Sequence, residues 1–139
     1  MLQKLQQKTA DYDLEDKVIF TGMQSADTVA ALLKQADIFT LASYNFDNQP
    51  MVILEAIASG LPVVYCDGRL TEGLTADNAL LTDSPEPEAF ADAFDSLLKK
   101  PDTIKTMGQA SREVSKSFDN VRLARQLVKL YQEAIDSLS

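Results

Sequence analysis

Two carboxylates carry the chemistry this sequence could do. Glu55 stands inside the apolar run 51–58, and Asp47 lies eight residues before it. An ionised glutamate buried without a partner costs several kcal/mol. Such a residue is therefore removed, paired with a cation, or kept to meet a ligand. A carboxylate that collects several donated hydrogen bonds keeps its charge, and neutral hydroxyls such as those of a sugar supply such donors. The opposing readings are equally physical: Glu55 could be half of a buried pair with a Lys or Arg, and Asp47 could be a loop or N-cap residue.

Composition narrows the field. The chain has 139 residues, 45% hydrophobic and 24% charged, with ten Gly plus Pro in total. That suits one compact domain with a real core. Thirteen basic against twenty-one acidic side chains give a net charge of −8, which opposes attraction to nucleic acid or anionic lipid. With no His and one Cys, His-based triads, His-ligated metals, CxxC pairs and intramolecular disulfides are excluded. Cys66 closes the run PVVYC and reads as a small buried side chain rather than a reactive thiol. No apolar stretch approaches the roughly 20 residues of a membrane-spanning helix, and the N-terminus lacks the apolar core of a signal peptide. A cytoplasmic location is expected.

The elements that must position these acids follow from periodicity. KVIFTG (17–22), DIFTLAS (37–43), LPVVYCD (61–67) and ALLTD (79–83) read as four short strands. Between the first two, Ser25 can cap a helix in which Val29, Leu32, Leu33 and Ala36 recur at helical spacing. Between the second and third, Pro50 suits a helix start, and Gly60 followed by Pro62 suits its end. This helix is almost wholly apolar and is expected to be buried. After ALLTD the chain turns helical, with Pro85, Pro87 and Pro101 punctuating the starts, and residues 1–16 also read as helix. The closing helix, with Leu127, Leu130, Tyr131, Ile135 and Leu138 on one side, is expected to pack on its own domain by default.

Alternating strands and helices imply an α/β, Rossmann-like domain with a mainly parallel sheet covered on both faces and a helical C-terminal tail. Doubly wound domains usually have five or six strands. The four visible here, preceded by a helix, imply a piece of a longer protein lacking at least one upstream strand. Residues 1–139 are read as a single domain.

Ligands of open parallel sheets bind beyond the carboxyl ends of the strands. The loops there are 21–25, 43–50, 67–75 and the turn after Thr82. The second runs into the Pro50 helix, whose first amides would favour a phosphate, although a solvated cap reads equally well.

LEDKVIFTGMQ, LLKQADIFTLAS, FDNQPMVILEAIASGLPVV and TEGLTADNALLTD resemble, in order and spacing, the C-terminal half of retaining glycosyltransferases with two facing Rossmann-like domains, the GT-B type of group 1. The most specific element is an acid pair with seven residues between its members, followed by an alanine-rich helix and Gly-x-Pro-Val-Val. Here it reads Asp47, Glu55, Gly60, Pro62, Val63 and Val64. The resemblance implies a nucleotide-sugar donor site. Glu55 would hold the ribose hydroxyls, Asp47 the sugar hydroxyls, and the amides of Asn48, Gln49 and Met51 the sugar or diphosphate. Thr21, Gly22 and Met23 would lie beside the base. Ser43, Arg69 and Glu72 are further candidates, and Arg69 and Lys17 are the nearest cations for the diphosphate.

The family usually has Glu at the first acidic place, followed by a GFG-like segment, where this chain has Asp47 and NQP. The resemblance further implies transfer with retention of configuration to a hydroxyl of a glycolipid, polysaccharide or protein. It implies no metal or other cofactor, and no catalytic residue within these 139 positions. The expected partners are a nucleotide-sugar and a missing N-terminal Rossmann-like half, through which peripheral membrane association could arise, with no nucleic acid.

The alternatives are a catalytically silent glycosyltransferase-like binding or chaperone partner, a phosphoacceptor receiver domain and a sugar-nucleotide epimerase. The receiver would need clustered acids after an early strand and a Lys after a later one, which this chain lacks. The absence of His weakens the epimerase.

Overall fold

The computed structural model describes residues 1–46, 48 and 50–137. Its elements run α1 (Leu2–Asp11), α2 (Ala26–Gln35), β1 (Phe39–Leu41), α3 (Met51–Ala58), β2 (Val63–Tyr65), β3 (Ala79–Leu81), α4 (Pro87–Leu98), α5 (Pro101–Ser115) and α6 (Asn120–Asp136). A 3-10 turn, Lys116–Phe118, joins the last two helices. The strands form one parallel sheet in the order β1-β2-β3, with Phe39 opposite Val63 and Val63 opposite Ala79.

The central strand shows why this sequence becomes a layered α/β unit. Successive side chains of a strand point to opposite faces, so a strand with both faces covered must be apolar throughout. Val63 and Val64 are both fully buried. Val63 joins Ile57 and Ala79 on the α3 side, together with Phe39, Leu54, Val114 and Phe118. Val64 joins Ala93, Leu97 and Met107 on the α4 side, together with Ile38, Leu80 and Phe90.

Helix boundaries follow the local chemistry. Ser25 caps α2 by accepting the Thr28 N–H at 3.2 Å, and Asp119 caps α6 by accepting that of Arg122 at 2.8 Å. Helix α3 ends in a Schellman motif. Gly60 takes φ +82°, and the Leu61 and Gly60 amides donate back to the Ala56 and Ile57 carbonyls at 3.1 and 3.0 Å. The chain then turns directly into β2.

Helix α5 crosses this turn at close range. A Cβ on Gly108 would lie 2.5 Å from the Gly60 carbonyl oxygen, so only glycine permits the approach. Nearby, the buried Ser111 hydroxyl donates to the Leu61 carbonyl at 2.6 Å.

Three expectations are corrected. Residues 17–22 form no strand among the described residues, and Ile19 is 85% exposed. A strand exists only with a partner ladder, and β1, the next strand along the chain, does not supply one. Helix α3 is not buried all round: Ile53, Ala56 and Ile57 face the core, whereas Met51, Glu55 and Ala58 lie at i, i+4, i+7 on an exposed stripe. Helix α6 does not pack back on the domain. None of its described residues is buried, and Val121, Leu127, Val128, Tyr131 and Ile135 all lie exposed on its apolar side.

The contact between α5 and the α3–β2 turn generates a stability prediction. Gly108→Ala should destabilise the fold by about 1–3 kcal/mol, the usual cost of overpacking. Gly68→Ala should be nearly neutral, because its Cβ would meet only Leu81 Cδ2 at an ordinary 3.4 Å. Urea denaturation midpoints of the two variants measure the difference.

Candidate functional site

The exposed stripe of α3 answers why Glu55 is tolerated: its side chain reaches solvent and need not be paired. Among the described residues it makes no hydrogen bond or ion pair, which removes the reading of a buried salt bridge. It stands on a ridge between two clefts. One, of about 1070 Å³, has Met51, Leu54, Glu55 and Glu72 on one side, and Lys116 and Arg122 on the other. The second, about 320 Å³, lies between α2 and α3 and is lined by Gln24, Val29, Leu33, Glu55 and Ser59. A charged acceptor available to both is suited to hydroxyl donors. In the larger cleft, the Lys116 ammonium is drawn to Glu113 at 2.6 Å, while no ion pair engages the Arg122 guanidinium among the described residues.

The loops at the carboxyl ends of β1 and β2 are tied together by a carboxylate the sequence reading did not single out. Asp67 is 2% exposed. Its Oδ2 accepts the Asn45 N–H at 2.9 Å and Arg69 Nη2 at 2.6 Å, while its Oδ1 accepts the Arg69 N–H at 3.1 Å and Arg69 Nε at 3.0 Å. The Arg69 guanidinium, helped by the Arg69 and Asn45 amides, outweighs the upward push of burial and holds this carboxyl well below the usual carboxylate range. Next to it, the Cys66 thiol donates to the Ser43 carbonyl at 3.6 Å. Burial, aided by the Asp67 charge, pushes that thiol up, the reverse of what a nucleophile needs. Asn78, fully buried, closes the other end of the β2–β3 loop: it accepts the Thr75 N–H at 2.7 Å and donates to the Gly73 carbonyl at 2.9 Å.

The proposed site residues divide into several groups. Asp47 and Gln49 lie outside the described residues. Asn48 and Met51 are exposed at the entrance to α3, and Met51, Glu55 and Glu72 share the larger cleft. Thr21, Gly22 and Met23 are exposed, and Met23 is fully so. The residue of that loop that shares a cleft with Glu55 is Gln24, whose side-chain amide donates to the Thr21 carbonyl. Arg69 is an exposed cation, but a fixed one, whereas Lys17 sits in an exposed turn lining neither cleft.

Sequence reasoning missed Asp67, Gln24 and Arg122. Only Asp67 left a signal, an acid ending the apolar run of a strand at its carboxyl end. Among the described residues, no three His, Cys, Asp or Glu side chains gather as a metal site, and no helix is long and apolar enough to cross a membrane.

Comparison with known proteins supplies the context. The family model described as glycosyl transferases group 1 matches residues 1–114. The D-inositol 3-phosphate glycosyltransferase of Corynebacterium glutamicum (strain R) is 32% identical over 124 residues, which are 88% of this chain and 29% of that protein. Its counterpart in Salinispora arenicola is 30% identical over 128 residues, 91% of this chain and 28% of the relative. The chain thus spans less than a third of these curated relatives.

Among solved structures, sucrose-phosphate synthase from Thermosynechococcus elongatus superposes on 97% of the chain with a TM-score of 0.81 and 24% identity, over 34% of its own length. Anabaena HepE, solved in complex with UDP, superposes on 95% of the chain with a TM-score of 0.83 and 24% identity, over 36% of its own length. The parallel sheet, its flanking helices and the family match over more than three quarters of the sequence agree: this chain belongs to the group 1 glycosyltransferase family.

Proposed function

We propose that the chain is the donor-binding domain of a retaining glycosyltransferase, which transfers a sugar from a nucleotide-diphosphate sugar to a hydroxyl acceptor. One observation carries the reading: Glu55, in the family's acid-pair pattern, stands exposed on α3 between two clefts, without a side-chain partner among the described residues. In this reading its carboxylate accepts the ribose hydroxyls, with Gln24 and the 21–23 loop nearby on the base side. Asp47 accepts hydroxyls of the sugar, and the amides entering α3 at Asn48, Gln49 and Met51 face the diphosphate. Fixed N–H dipoles and cations at that point stabilise the charge that develops on the leaving diphosphate, as an oxyanion site does. Arg122, across the larger cleft, joins Arg69 as a candidate cation, whereas Lys17 lines neither cleft. The reading requires no metal.

Surfaces left open among the described residues support the view that residues 1–139 are one domain of a larger enzyme. The apolar side of α6, the unpaired segment 17–22 and the outer edge of β1 each lack a covering layer. A Rossmann-like sheet whose further strands lie between 17–22 and β1, and a second domain against α6, would cover them. The catalytic group and acceptor site would then lie in that second domain. The Asp47 in place of the usual Glu favours a second reading, a silent glycosyltransferase-like binding partner.

UDP-glucose and UDP, both seen with HepE, are the first ligands to test. Measurable binding that depends on Glu55 supports a donor site, and none at millimolar ligand supports the silent partner. Glu55→Gln should weaken UDP-glucose binding by about 1–3 kcal/mol, the range for losing charge-assisted hydrogen bonds. It should leave the denaturation midpoint unchanged, because the side chain is exposed. Calorimetric titration measures the first and a urea melt the second. Asp47→Ala should reduce affinity for UDP-glucose more than for UDP, and equal losses would contradict its contact with the sugar.

A further inference from the structure

We infer that Asp67 is a positioning residue of this site: its buried carboxylate locks the turn 43–45, and so fixes where the chain leaves β1 on its way to α3. The inference rests on the donor-site reading for its functional half and on geometry alone for its structural half.

Three observations converge on that turn. Asn45 sits at φ +56°, a left-handed conformation that a non-glycine residue keeps only where its surroundings impose it, although Asn tolerates it better than most. Its N–H is donated to Asp67 Oδ2 at 2.9 Å. Two residues earlier, the Ser43 carbonyl accepts the Cys66 thiol at 3.6 Å. The loop that follows β1 is therefore anchored twice to adjacent residues, Cys66 and Asp67, at the carboxyl end of β2.

Asp67 is itself immobilised. It is buried at the end of the central strand, and Arg69 approaches it through its backbone N–H, Nε and Nη2. A buried carboxylate this well supplied with donors stays ionised, and its orientation is set by the planar guanidinium. Arg69 thus completes the clamp by fixing the oxygen that holds Asn45. Positioning of this kind matters because small misplacements of a binding group lose affinity steeply.

Asp67→Asn isolates the effect. An amide in place of the carboxylate turns one acceptor into a donor that must face Asn45 N–H or the Arg69 guanidinium. In the protein, hydrogen exchange at the Asn45 amide should accelerate by on the order of tenfold or more. Affinity for UDP-glucose should fall about fivefold to tenfold, while affinity for UDP changes less than about twofold, because the ribose contact on α3 is untouched. Should the variant fail to fold, Asn45→Ala keeps the N–H but makes the left-handed φ of the same exposed turn more costly, and should move both readings in the same direction.

Unchanged exchange at Asn45 overturns the clamp. Faster exchange with unchanged UDP-glucose affinity, or with equal losses for UDP and UDP-glucose, overturns its positioning role. A wild-type protein that binds neither ligand, but whose Asn45 exchange still responds to the substitution, overturns the donor-site reading and leaves the clamp standing.

Discussion

The structure hangs on the burial of a single strand from both sides. Val63 and Val64 alternate across the sheet, each fully enclosed, so α3 must cover one face and α4 the other. Sheets and helices pack densely enough that this sandwich holds its position. The Gly60–Gly108 approach and the Ser111 hydrogen bond then pin α5 across the rim where α3 turns into β2. With that rim fixed, the opposite rim, at the carboxyl ends of β1 and β2, becomes a rigid base for loops.

On that base, two carboxylates meet contrasting fates. Asp67 is buried and satisfied by the protein: a guanidinium and two backbone amides converge on it, and its charge serves to join two loops. Glu55 is exposed and has no side-chain partner among the described residues, between clefts large enough for a small molecule. Burial separates these roles, since a buried charge needs its donors built in, whereas an exposed one keeps its acceptor capacity for something that arrives. The apolar character of the run 51–58 is then explained by helix geometry. One side of α3 packs on the sheet, and the glutamate falls on the other.

The amount of apolar surface left outside the core is the second unusual feature. Isolated exposed hydrophobics are ordinary, but a continuous apolar side along a 17-residue helix is the kind of surface that favours packing against a further layer. A chain spanning less than a third of its curated relatives accounts for such surfaces without further assumption.

The sequence by itself determined the α/β class, the alternation of DIFTLAS, α3, LPVVYCD and ALLTD, the Ser25 cap and the Gly60 stop, because these depend on short-range periodicity and on backbone preferences of single residues. It also determined the acid pair, since spacing along a chain is local information. Tertiary structure alone decided that KVIFTG lacks a ladder among the described residues, that Glu55 faces outward, that Gln24 rather than Met23 shares its cleft, and that Asp67 binds Asn45 across 22 positions of sequence. Each of these depends on which neighbour lies across space. A strand exists only beside another strand, and a carboxylate is paired or free according to what the fold brings to its oxygens.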